Sequence, residues 1–117
     1  MDMDSALVAL SALAHEGRLN AFRLLVQAGV EGLAAGEIAR SLEVPPNTLS
    51  SNLSILANAG LVERRRDGRS IVYRARYDAM TGLLEHLMQD CCGGSPEICA
   101  PLADVARRSA CSTDEAA

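Results

Sequence analysis

Apolar residues recur along the first part of the chain at the spacing of a helix face. Leu7, Leu10, Leu13 and Ala14 form one series and, after His15-Glu16-Gly17, Leu19, Phe22, Leu25 and Val26 form a second. They predict amphipathic helices over about 5–14 and about 17–28. Gly29 and Gly32 bracket a loop. The run from Ala35 to Leu42 then reads as a short helix with Ile38, Ala39 and Leu42 turned inward. Glu43-Val44 is a connector, and Pro45-Pro46 fits only the first turn of a helix, which places the next helix start at about 46. Leu49, Leu53 and Leu56 mark its inner face, and Gly60 is the stop signal. Two β-favouring runs follow, Leu61 to Arg66 and Arg69 to Arg76, separated by Asp67-Gly68, a strong hairpin signal.

Beyond Tyr77-Asp78, the residues Met80, Leu83, Leu84, Leu87 and Met88 predict a fifth helix of about thirteen residues. Its apolar stripe is wider than a small domain needs, which points to a dimer seam. Gly93-Gly94-Ser95-Pro96 ends that helix, Pro101 opens a short last one carrying Leu102 and Val105, and residues 112–117 are expected to be disordered. The fold class is mainly α (α+β): about five helices, a two-stranded hairpin and a short C-terminal helix. A chain of 117 residues with 49% hydrophobic content has material for one core and not for two.

The outward face of the 46–58 helix is unusual. It carries Asn47, Ser50, Ser51, Ser54 and Asn58, where a solvated helix commonly carries charge. Small uncharged donors and acceptors let a helix enter the major groove and reach base edges. The net charge of −4 argues against a polyanionic partner until it is mapped along the chain. Residues 1–63 sum to −4, residues 64–76 to +5 and residues 77–117 to −5, and every basic side chain is Arg. Arginine suits bidentate contacts to phosphate and bases, so the hairpin forms a local basic patch on an acidic protein. A merely solubilising hairpin, or one used for protein contact, are the competing readings. Steep loss of DNA affinity with salt separates them.

A short helix, a turn, a polar-faced helix and an Arg-rich hairpin together resemble the ArsR/SmtB family of metal-responsive repressors. The resemblance is carried by Ala39-Arg40-Ser41-Leu42, by Thr48 through Leu56, by Ala59-Gly60-Leu61-Val62 and by Asp67-Gly68-Arg69 with Tyr73, and it covers about residues 5–92. Asn52 stands where the family commonly has His. The resemblance implies a winged helix-turn-helix homodimer joined by its first and last helices, which binds operator DNA and loses affinity when a ligand binds. Residues 1–92 would be the DNA-binding and dimerisation domain and residues 93–117 an extension. The implied DNA contacts are Asn47, Thr48, Ser50, Ser51, Asn52 and Ser54 on the helix and Arg64, Arg65, Arg66 and Arg69 on the wing. The acidic start Met1-Asp2-Met3-Asp4 and the lack of a long apolar run predict a cytoplasmic protein without a membrane partner.

Two sensor patterns of the family are missing: no cysteine lies between Val44 and Ser54, and Glu85, His86 and Asp90 lack the spacing of the last-helix zinc site. His15 is a still weaker ligand candidate. Cysteines in a reducing compartment bind metal or do redox chemistry more readily than they form structural disulfides. Cys91-Cys92 and Cys99, separated by a Gly-Gly-Ser-Pro stretch that lets the backbone double back, make three thiols, with Cys111 beyond. Three soft donors match As(III) or Sb(III) as inducer. The adjacent pair alone would serve methylarsenite. Zinc, cadmium or lead, a thiol redox switch, and idle cysteines stay open, although zinc favours four ligands at Cys-x₂₋₄-Cys spacing. No organic cofactor is implied. An enzyme is excluded as a reading: there is no Cys-x-x-Cys in a βαβ setting and no Ser/His/Asp constellation.

Overall fold

The computed structural model describes residues 1–89 together with 101, 104 and 105. The chain divides into two compact units, Met1–His86 and Leu87–Ala117, and the fold below is that of the first. The four cysteines lie outside the described residues, as does most of the predicted last helix, of which Pro101, Asp104 and Val105 are helical. Among the described residues no helix is long and apolar enough to cross a membrane.

Helix α1 runs Met3–Leu13, starting before the first apolar residue of its predicted series because Asp2 caps it. The Asp2 carboxylate accepts a hydrogen bond from the Ser5 N–H at 2.8 Å, which holds that carboxyl below its ordinary range. Its inner face differs from expectation. Ala6, Ala9 and Ala12 are buried, while Leu7 is 56% and Leu10 38% exposed. Small side chains let α1 approach its neighbours closely, and the leucine series is left largely outward.

Helix α2, Glu16–Ala28, buries Ala21, Phe22 and Leu25. Its cap is His15, whose Nδ1 accepts from the Gly17 and Arg18 N–H groups. At the far end the Tyr77 hydroxyl donates to the Val26 carbonyl at 2.8 Å and ties the start of α5 to α2.

The expected loop after Gly29 contains a strand. Leu33–Ala34 forms β1 and pairs antiparallel with β3 (Ser70–Ala75), which also pairs with β2 (Val62–Asp67), so the sheet has three strands in the order β1-β3-β2. Gly32 permits this approach: at φ 73 it occupies the left-handed region, and a Cβ there would collide with the Tyr73 carbonyl oxygen. Two residues are too short to show a period-two pattern, hence β1 was invisible in the sequence.

Helix α3, Ala35–Leu42, buries Ile38 and Ala39 and half-buries Leu42. Its Glu37 carboxylate accepts the Ala34 N–H at 3.0 Å. Helix α4, Pro46–Asn58, places Pro46 in its first turn. Leu25, Ile38, Leu49, Leu53, Leu56 and Leu61 are the largest fully buried side chains, and α4 packs with α2 and α3 around them. Helix α5 covers Tyr77–Met88 and buries Leu83.

Candidate nucleic-acid interface

Helices α3 and α4 are joined by a tight turn built on Glu43, which holds φ 55, ψ 49. The Glu43 N–H donates to the Arg40 carbonyl and the Val44 N–H to the Ala39 carbonyl, closing α3 in the manner of a Schellman cap. Helix α4 ends the same way, with Gly60 at φ 81 and the Leu61 N–H donating to the Leu56 carbonyl at 3.0 Å. Gly60 was legible as a stop. Glu43 was not, because a non-glycine residue seldom takes this conformation.

The turn presents α4 with Leu49, Asn52, Leu53 and Leu56 inward and Asn47, Thr48, Ser50, Ser51, Ser54 and Asn58 exposed. Asn52 is therefore placed differently from the other candidate contacts. It is 7% exposed and stands three residues after Leu49 on the inner stripe. There it lies over the first turn of α2, where a Cβ on Gly17 would stand 3.0 Å from the Asn52 Nδ2. The structure corrects the expectation that Asn52 shares the outward face. Polar character alone suggested exposure, whereas the helical period assigns position 52 to the core side.

In the wing the two-residue loop is Gly68-Arg69 and not Asp67-Gly68, with Gly68 at φ 64 supplying the positive φ of the first loop position. Arg66 consequently lies opposite Ile71, and Arg64 opposite Tyr73. Alternation along β2 puts Arg64 and Arg66 on the face of Tyr73 and Ile71, and Arg65 on the other. The guanidiniums do not all project to one side. Arg64 borders a small groove with Ser54, Ala57 and Asn58, which brings the wing alongside α4.

The six arginines of the hairpin region fall into two electrostatic classes. Arg74 forms an ion pair with its cross-strand partner Glu63. Arg76 pairs with Asp78 at 2.9 Å, an interaction that lowers the Asp78 carboxyl pKa and raises that of the guanidinium. Arg64, Arg65, Arg66 and Arg69 are exposed and make no ion pair with a carboxylate among the described residues. Four uncompensated guanidiniums beside a helix of hydroxyls and amides form a positive rim around an uncharged reading surface, an arrangement suited to phosphates flanking base edges. Among the described residues no group of three or more His, Cys, Asp or Glu side chains converges into a metal site, so Glu85 and His86 do not make one there.

Residues 13–65 match the family model described as a helix-turn-helix domain. A biofilm growth-associated repressor from Agrobacterium fabrum is 35% identical over 80 residues, covering 68% of this chain and 66% of that protein. A candidate arsenical resistance operon repressor from Halobacterium salinarum is 44% identical over 73 residues, covering 61% of this chain and 56% of that protein. The chain thus spans just under two thirds of the one relative and little more than half of the other. Among solved structures, the homodimeric winged helix-turn-helix DNA-binding domain of a candidate ArsR-family regulator from Mycobacterium bovis is similar at TM-score 0.60 and 33% identity, covering 74% of this chain and 84% of that one. These relatives are transcriptional regulators and not enzymes. By its helix order, its wing and these matches, the chain belongs to the ArsR family of winged helix-turn-helix, DNA-binding transcriptional regulators.

Proposed function

We propose that this chain is a homodimeric repressor that holds operator DNA through α4 and the wing and releases it when arsenite or antimonite is captured by Cys91, Cys92 and Cys99. The observation that carries the DNA half of this reading is the uncharged outer face of α4 beside four unpaired arginines. The dimer is supported by apolar side chains left exposed on α1 and α5, among them Leu7, Val8 and Leu84, and by the homodimeric Mycobacterium domain. Two copies would set their α4 helices in successive major grooves roughly 34–36 Å apart.

The arsenic half rests on the donor set and on the relative named for arsenical resistance. Three thiols fit As(III), which is satisfied by three soft ligands in a pyramid. Cys91 lies three residues past Met88, the last residue of α5, so the candidate ligands adjoin in sequence the helix assigned to the dimer seam. Changing that seam alters the angle between the two reading heads. Coupling of about 1–3 kcal/mol, about 5- to 150-fold in affinity, suffices for release.

The test is fluorescence anisotropy of labelled promoter DNA with the full chain, titrated with arsenite, antimonite, methylarsenite, zinc and cadmium. Arsenite and antimonite are expected to release the DNA. Cys91→Ser, Cys92→Ser and Cys99→Ser each keep DNA binding and lose the arsenite response, while Cys111→Ser responds as wild type. Release by zinc or cadmium with no arsenite effect would refute the assignment.

A further inference from the structure

The basic residues of the wing are not the whole cationic surface near α4. Arg40, in the last turn of α3, is exposed, and its Nη1 lies 3.4 Å from the point where a Cβ on Gly36 would stand, so the guanidinium runs back along α3. It lines one groove with Pro46 and Ser50, the residues that open the outer face of α4. No carboxylate among the described residues pairs with it: the Glu37 carboxylate receives the Ala34 N–H, and the nearby Glu43 forms no ion pair with it. The groove thus holds an uncompensated guanidinium on the α3 side of the reading helix, whereas Arg64 borders α4 from the wing side.

We propose that Arg40 is a DNA phosphate contact, holding the sugar-phosphate strand on the α3 side of the major groove while Arg64 and its neighbours hold the strand on the wing side. A helix seated in a major groove about 12 Å wide has a phosphate rim on each side. In a helix-turn-helix the helix before the reading helix crosses that backbone. A guanidinium beside Ser50 meets phosphate and not a base edge, so it fixes register without reading sequence. The inference rests on the DNA-binding reading of α4 and adds a residue that the Arg-rich wing does not contain.

The experiment measures binding of the full chain to a promoter duplex and to a random-sequence duplex of equal length over a series of salt concentrations, with Arg40→Ala, Arg40→Lys and wild type compared. Arg40→Ala is expected to lower the magnitude of the slope of log K against log salt by about 0.9, with equal weakening on both duplexes. Arg40→Lys is expected to keep the wild-type slope, and a melting curve for each variant checks that the fold is retained. An unchanged slope in Arg40→Ala overturns the proposal alone, as does weakening confined to the promoter duplex. A wild-type chain without salt-dependent duplex binding overturns the DNA-binding reading and this proposal with it.

Discussion

Helices α1 and α4 each bury one stripe, yet their outer faces are chemically opposite. The exposed side of α1 is Met3, Leu7, Val8 and Leu10, whereas that of α4 is Asn47, Thr48, Ser50, Ser51 and Ser54. Ile55 is the exception on α4, and it lies on the side toward α1, where it lines an apolar groove with Leu7 and Val8. A large uncovered apolar patch on a small domain marks a surface that another protein surface covers. An uncharged hydrogen-bonding face marks one that stays wet until a polar ligand arrives. Within one domain, burial energy is thus assigned to assembly on one helix and hydrogen-bond capacity to recognition on another.

The sharpest way to break this contrast is to make the face of α1 polar. The double variant Leu7→Glu with Leu10→Glu is expected to sediment as a monomer where wild type sediments as a dimer. Its operator affinity should fall by about 100-fold or more, about 2.7 kcal/mol, because two half-sites are no longer bound together. A dimeric variant with intact affinity would show that α1 has no part in the seam.

Within α4 the inner and outer faces can be set against each other. Leu56→Ala empties a fully buried site, and denaturant melts should show a loss of about 2–5 kcal/mol. Ser51→Ala, on the outer face, should stay within about 0.5 kcal/mol of wild type in the same melts while weakening DNA binding.

A smaller effect concerns how α4 is presented. Glu43→Gly relieves a left-handed conformation and is expected to raise stability by about 0.5–1 kcal/mol, read by urea unfolding, with DNA affinity retained. The smallest lies at the root of the wing. Asp78 has its carboxyl pKa depressed by Arg76, so its contribution is present above the unfolded carboxylate range and is lost as pH falls through the lower folded value. Acid melts below about pH 4 should show a slight decline that Asp78→Asn lacks.

Much of the fold was legible before the structure. The leucine period of α4, Pro46 in its first turn, Gly60 at its end and an Asp-Gly hairpin are local signals, each enforced by sterics within a few residues. The basic segment 64–76 was equally plain. The same signals misled where a helix has two apolar stripes. On α1 the leucine series looked like the core face, but the alanine stripe fits the closer helix packing. Asn52 looked like a reading residue until its position on the inner stripe of α4 placed it over Gly17.

What the sequence determined by itself was the list of elements, their order and the chemistry on offer: a polar helix, an arginine hairpin and a trio of thiols. Only the tertiary structure decided which stripe of α1 faces in, that Leu33–Ala34 completes the sheet, and that Glu43 carries the turn between α3 and α4. It also decided that Glu63 and Asp78 neutralise Arg74 and Arg76 while the arginines nearer the wing tip stay uncompensated. The reason is physical. Helical period and turn preference act between neighbours in the chain, whereas packing distance, strand addition and ion pairing depend on which distant residues the closed core brings together.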